Sequence, residues 1–187
     1  MSNQQEDLLP KLVELLGQIA PRAHQIGFLF NPNHPMYAAY QAVAARATAV
    51  LGFTPVFLTA DSPAAIIRAI EQGKSRGVQG LVIAADPLFT SHAALLAQRI
   101  NAARLPAIYG QRFHVDQGGL MSYGANVDEN WRRAALYVDH ILKGRKPAEL
   151  PIEQPMRFEL VVNAKAVRAL GLTIPYGILL LATEVIE

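Results

Sequence analysis

Gly80 to Gly124 reads GLVIAADPLFTSHAALLAQRINAARLPAIYGQRFHVDQGGLMSYG. Leu81-Val82-Ile83-Ala84-Ala85 is a continuous apolar run, the pattern of a strand buried on both faces, and Asp86-Pro87 ends it because proline has no N–H to give to a ladder. Ser91 is placed to cap a helix over about His92 to Ala103, in which Ala93, Leu96, Ala97 and Ile100 recur at helical spacing. Pro106-Ala107-Ile108-Tyr109 starts the next strand. A strand, a helix and a strand in so short a span predict one unit of an α/β sheet. In open sheets of this kind ligands lodge beyond the carboxyl ends of the strands, and Asp86 and Tyr109 stand at two such ends.

The alternation continues on both sides. Leu8, Leu12, Leu15, Leu16 and Ile19 form one face of an amphipathic helix over Leu8 to Ala20; the stretch is too short to span a bilayer and carries Lys11 and Glu14, so it is not an export signal. Ile26 to Phe30 predicts a first strand and Asn31-Pro32-Asn33-His34-Pro35 a turn. An alanine-rich helix over Met36 to Leu51, a strand over Pro55 to Leu58, and a helix capped by Asp61 or Ser62 and running to about Gly73 complete this part. The expected fold class is α/β, a doubly wound parallel sheet flanked by helices. After Tyr109 the pattern changes. Gly118-Gly119 reads as a turn between bodies, Leu120 to Tyr123 as a short strand, and Asp128 to Lys143 as a helix with Trp131, Ala135, Val138 and Leu142 on one face. Gly144, Pro147, Pro151 and Pro155 make a connection long enough to read as a crossing between two bodies. Phe158 to Val162 is a strand, Ala164 to Leu170 a helix ending at Gly171, and Ile178 to Ile186 an apolar tail that needs a partner surface. The expected organisation is an α/β domain over residues 1–124, a crossing segment over 125–156 and a C-terminal strand, helix and tail over 157–187.

Composition narrows the function. A chain of 187 residues with 51% hydrophobic and 17% charged residues can bury a real core, and its net charge of +2 comes from scattered Arg and Lys, with no cluster suited to nucleic acid. Cysteine is absent, so there is neither a disulfide framework nor a thiolate metal site. His24, His34, His92, His114 and His140 show no paired ligand spacing, and no nucleophile elbow, dinucleotide fingerprint or P-loop is present. No metal, cofactor or catalytic group is therefore expected.

The residues also carry a resemblance. Asn31-Pro32-x-x-Pro35, Ala85-Asp86-Pro87-Leu88-Phe89, Pro106 to Tyr109 and Gly118 to Gly124 occur in the order and spacing of the ABC transporter substrate-binding proteins of the tryptophan-binding type. Further matches are Ile141-Leu142-Lys143-Gly144-x-Lys146-Pro147-Ala148-x-Leu150-Pro151, Phe158 to Asn163, and Ala169 to Pro175. The likeness runs from about Leu12 to Glu187. It implies a type I periplasmic-binding-protein-like fold, of which this chain resembles the second lobe and the C-terminal segments, and a small solute, possibly an amino acid, as ligand. It also implies an ABC permease as partner of the full-length parent, and a periplasmic or membrane-anchored extracytoplasmic location for that parent. In such proteins the helix matching Asp128 to Lys143 packs on the first lobe; without that lobe a homodimer is the expected cover. Two stretches depart from the pattern. Tyr176 to Leu181 is more apolar than usual, and Gln111-Arg112-Phe113-His114 replaces a more acidic segment.

The candidate ligand-binding residues are Asn31, Asn33, Asp86, Pro87, Tyr109 and Tyr123. Asn31 and Asn33 lie where a strand turns into a helix and either hold a ligand carboxylate or serve as turn and cap residues. Asp86, beside Pro87, either pairs with a ligand ammonium or stabilises its own turn, and its replacement by Ala is expected to weaken binding while sparing stability. Tyr109 and Tyr123 either meet a ligand ring or pack. Two other functions remain open at this point: the effector-sensing domain of a transcription regulator, and a small α/β enzyme using Asp86.

Overall fold

The computed structural model describes residues 5–151 and 157–187. Its strands are Gln25–Phe30 (β1), Thr54–Thr59 (β2), Gly80–Ile83 (β3), Ala107–Tyr109 (β4), Met121–Ala125 (β5), Phe158–Asn163 (β6) and Glu184–Ile186 (β7). They form one sheet in the order β2-β1-β3-β4-β5-β6-β7. Every neighbouring pair is parallel except β5 and β6, so the sheet is the expected doubly wound, parallel one with a single antiparallel pair. The reason is local. The chain leaves β5 at its carboxyl end and returns at that same end, where Ala125 faces Phe158 and the Asn126 N–H donates to the Arg157 carbonyl, so β6 must run back along β5.

Side-chain alternation sorts the strands into two cores. Ile26, Phe28, Phe30, Val82, Ile108, Met121, Leu160 and Val162 face one side, where Gln5–Ile19 (α1) and Tyr37–Leu51 (α2) cover them together with Ala164–Leu170 (α8) and Tyr176–Leu181 (α9). Leu29, Val56, Leu58, Leu81, Ile83, Ala107 and Tyr109 face the other side, under Pro63–Ser75 (α3) and Ala93–Ala102 (α5). Leu9, Leu12, Val13, Leu15, Leu16 and Ile19 of α1 are all buried, a wide apolar stripe that fits a helix laid across the middle of a sheet. Ser62 caps α3 by accepting from the Ala65 N–H, as the sequence suggests.

The helix after β3 differs from expectation. Its first turn is a separate short helix, Pro87–Ser91 (α4), capped by Asp86, while α5 starts from His92 with no side-chain cap, so Ser91 ends one helix and does not begin the next. The competing signal was Asp86-Pro87 itself, a cap followed by proline at the first helical position. A further short helix, Phe113–Asp116 (α6), follows β4; Gly118, at φ 93°, closes it and turns the chain straight into β5, inside the same sheet.

Val127–Leu142 (α7) is the unusual element. Asn126 caps it by accepting from the Glu129 N–H, yet none of its residues is buried. The face expected from the sequence is uncovered, with Trp131 71% and Leu142 80% exposed. Beyond it lies a 3₁₀ turn at Pro147–Glu149, and residues 152–156 of the expected crossing, including Pro155, fall outside the described residues. The apolar tail resolves into two elements, α9 and β7. Ile178 enters the first core, while Leu180 and Leu181 stay at the surface.

Candidate functional site

Strand order locates the crevice. In 2-1-3-4-5 the chain winds one way from β1 and the other way from β3, so the crossovers diverge at the carboxyl ends of these two strands and open a gap between them. Asn31 directly follows β1. Asp86 stands just beyond the end of β3. The two side chains meet across the gap, with Asn31 Nδ2 donating to Asp86 Oδ1 at 3.2 Å.

Asp86 is only 6% exposed. Its Oδ1 also accepts the Leu88 N–H at 2.8 Å, which is the cap of α4. Both of its hydrogen bonds fall on that one oxygen, and among the described residues nothing donates to Oδ2. A carboxylate held rigidly on one oxygen and left open on the other is suited to receive a donor from outside. Asn31 is committed on both ends of its amide, since its Oδ1 accepts the Asn33 N–H at 3.0 Å. The geometry thus makes Asn31 a support for Asp86. Asn33 and Pro87 are exposed on the two turns that flank the gap.

The tyrosines lie elsewhere. Tyr109 is wholly buried in the second core, its ring stacked on His114 at a centroid distance of 4.7 Å, and burial pushes its phenol well above the ordinary range. It forms part of the floor behind the crevice, not its surface. Tyr123 is half-buried on the opposite face of the sheet, stacked on Phe158 at 5.9 Å. The two rings therefore cannot sandwich one ligand. Among the described residues the buried side-chain oxygens without a hydrogen-bond partner are the Tyr109 hydroxyl and Ser122 Oγ, which are register neighbours on β4 and β5.

The structure adds Thr90, Gln111, His114 and Arg112 to the residues picked from the sequence. Thr90, one turn into α4, places its hydroxyl 3.0 Å from the Asp86 carbonyl and 2.5 Å from Gln111 Oε1. His114, fully buried, lies between the turn after β4 and α4, with Nδ1 3.2 Å from the Gln111 carbonyl and Nε2 3.2 Å from the Phe89 carbonyl; its neutral ring has one N–H and donates to one of the two. Burial lowers its pKa against the pull of those two carbonyls. Only the spacing of Thr90 four residues after a capping Asp86 was visible beforehand. On the outer side Arg112 forms a two-pronged pair with Glu184 of β7, at 2.6 Å and 3.1 Å, and this hydrogen bond holds the Glu184 carboxyl below its ordinary range. The pair is largely solvated and is a modest tether for the terminal strand.

Volume alone points elsewhere. A groove of about 660 Å³ lies between α1 and α2, lined by Pro10, Val43, Arg46 and Val50, and another of about 590 Å³ lies at the amino ends of the strands, lined by Ile19, Gln79, Pro106 and Leu172. Neither has a buried charged side chain in its wall. The strand-end gap has one, Asp86. Buried charge left open on one side is the rarer and more specific feature, so the gap is the better candidate. Among the described residues no group of three His, Cys, Asp or Glu is placed to hold a metal ion, and no helix is long and apolar enough to cross a membrane.

A profile of the family described as ABC transporter substrate binding protein matches residues 2–186. The chain belongs to that family. Among solved structures, this ABC transporter substrate binding protein chain is similar to a conserved domain protein from Vibrio cholerae, at 25% identity and a TM-score of 0.85, over 95% of this chain and 60% of that one. It is similar in fold to an ABC domain from Streptococcus pneumoniae in complex with L-Trp, at 22% identity and a TM-score of 0.84, over 95% and 60%. A LacI family transcriptional regulator from Bifidobacterium animalis shares the fold more loosely, at 15% identity and a TM-score of 0.60, over 84% and 58%. The chain thus spans about 60% of the length of the first two structures. No curated protein matches it.

Proposed function

We propose that this chain is the solute-binding component of an ABC import system and that it holds a small solute carrying a protonated amine against Asp86. The observation that carries the reading is the Asn31–Asp86 hydrogen bond across the β1/β3 gap, which orients a buried carboxylate and leaves Oδ2 open. An ammonium is the natural partner for such an oxygen. An amino acid is the favoured class, and the L-Trp in the S. pneumoniae relative supports it. Asn33 and Pro87 frame the entrance, Asn31 and Tyr109 support it from behind, and Tyr123 borders the crossing into α7.

The work done is binding and closure, not catalysis. A solute that touches Asp86 on one side and a facing lobe on the other favours the closed form by its differential affinity, and the closed form is what a membrane permease reads. The location that suits this role is extracytoplasmic. The bare face of α7 and the exposed Leu180 and Leu181 of α9 need cover, because contiguous apolar patches of this kind are rare on soluble monomers. For the 187-residue chain by itself we propose a homodimer across these faces. Light scattering should report twice the monomer mass, and Leu142→Glu should shift it toward monomer; a wild-type monomer at tens of micromolar contradicts the dimer. Calorimetry with amino acids and their deaminated analogues tests the solute class. Heat from the amines and none from the deaminated forms is expected, whereas equal binding of both removes the ammonium from the account.

A further inference from the structure

Thr90 decides which way Gln111 faces. Its hydroxyl has one hydrogen and two acceptors in reach, the Asp86 carbonyl at 3.0 Å and Gln111 Oε1 at 2.5 Å. Hydrogen bonds between two oxygens run down to about 2.5 Å, whereas those from nitrogen stop near about 2.7 Å. The shorter contact is therefore an O–H···O bond, and the amide oxygen of Gln111 is the atom turned toward Thr90. That leaves Nε2, with both of its hydrogens, directed away from Thr90. Among the described residues nothing accepts from it, and the side chain is half-buried at the carboxyl end of β4.

The backbones beneath this pair are locked. Gly110 lies so close to the chain before Asp86 that a β-carbon there would come within 3.0 Å of the Ala85 nitrogen, and the Gly110 N–H donates to the Ile83 carbonyl. The buried His114 ring packs against the same two segments, within 3.2 Å of the Phe89 and Gln111 carbonyls, and its one N–H donates to one of them. Asp86 Oδ2 and Gln111 Nε2 are thus an open acceptor and an open donor on two segments that the close Gly110–Ala85 approach and the Thr90–Gln111 bond hold together. A solute with an ammonium and a carboxylate on the same carbon presents the complementary pair.

We propose that Gln111 is a specificity-determining residue of this site, donating from Nε2 to the carboxylate of an α-amino acid whose ammonium is held by Asp86. The inference rests on the reading of the Asp86 gap as the solute site. Its consequence is that the amide, and not the acidic group, distinguishes an amino acid from the amine that remains when the carboxylate is removed.

The test compares L-Trp with tryptamine on the purified chain by calorimetry, using wild type, Gln111→Glu and Asp86→Asn, with thermal melts to confirm that each variant is folded. If L-Trp gives no heat, the remaining proteinogenic L-amino acids are screened and the best binder is compared with its decarboxylated amine. Gln111→Glu keeps an oxygen for Thr90 but puts a negative charge where Nε2 stood. It should weaken the amino acid about tenfold or more while leaving the amine equal or tighter, and Asp86→Asn should weaken both. An equal effect of Gln111→Glu on both probes, or none on either, overturns the role of Gln111 while sparing that of Asp86. An Asp86→Asn variant that binds both probes like wild type overturns the underlying reading and the proposal with it. A wild-type chain that binds no L-amino acid at millimolar concentration overturns the amino-acid assignment.

Discussion

Replacing Asp86 by Asn and by Ala separates its two duties. In the folded chain Oδ1 makes both hydrogen bonds, to the Leu88 N–H and to Asn31 Nδ2, inside a site where the residue is 6% exposed. Asp86→Ala removes the cap, which costs about 0.5–2 kcal/mol, and strands the Asn31 amide, which costs about 1 kcal/mol more. The sum is about 1.5–3 kcal/mol, or a fall in melting temperature of about 3–12 °C for a domain of this size. The cap and the Asn31 bond argue against the expectation that the Ala variant spares stability, which came from treating Asp86 as a solvent-facing contact. Asp86→Asn keeps an oxygen in the Oδ1 position and loses only the charge, so it should cost about 1 kcal/mol or less. Its effect falls on the solute, where losing a charged hydrogen bond weakens binding by about 1.5–3 kcal/mol. Urea unfolding gives the first quantity and calorimetry the second. An Ala variant that unfolds at the same urea concentration as wild type refutes the capping argument. An Asn variant as unstable as the Ala variant refutes the separation of duties.

Further outcomes follow from the floor of the site. Burial holds the folded-state pKa of His114 below its unfolded value of about 6.5, so the unfolded chain binds the extra proton first; stability should be full above about pH 6.5, decline as pH falls below it, and level off once the folded histidine titrates. Urea midpoints across pH should show that decline, and His114→Gln should remove this component; an unchanged profile in the variant assigns the decline to other groups. Tyr109→Phe deletes a buried hydroxyl that has no partner, so stability should stay level or rise by about 1–2 kcal/mol, and a fall of that size shows that the hydroxyl is bonded. Gly119→Ala places a β-carbon 2.7 Å from both the His114 carbonyl oxygen and the Tyr109 ring, so it should cost about 1–3 kcal/mol as overpacking, read by thermal melts; a neutral result means that α6 gives way easily.

Much of the fold is legible from pattern alone. Six of the strands follow from apolar runs, because a strand buried on both faces leaves no other reading for Leu81 to Ile83 or Ile26 to Phe30. The seventh strand, Glu184–Ile186, is not legible. It is three residues long and is held by its place beside β6 and by the Arg112–Glu184 pair, neither of which is a local signal. The reversal of β6 escaped for the same reason, since direction is set by where the chain re-enters the sheet. At the candidate site, strand-end logic singled out Asp86 and Asn31, but the bond between them depends on strand order. Tyr109 shows the limit of that logic: it stands at a strand end, yet its parity turns the ring into the second core. Thr90 and Gln111 came together through packing of two turns, and no spacing rule reaches across 21 residues.

The central claim is that the β1/β3 strand-end gap around Asp86 is where the solute binds. A ¹⁵N–¹H correlation spectrum of the purified chain, titrated with L-Trp and tryptamine, tests it most directly. The account predicts saturable shifts concentrated at Asn31 and Asn33, at Ala85, Asp86, Leu88 and Thr90, and at Gly110 and Gln111, with Asp86→Asn moving them to ligand concentrations about tenfold or more higher. Shifts that gather instead on the α1/α2 groove around Val43 and Val50, or that survive unchanged in Asp86→Asn, would contradict it.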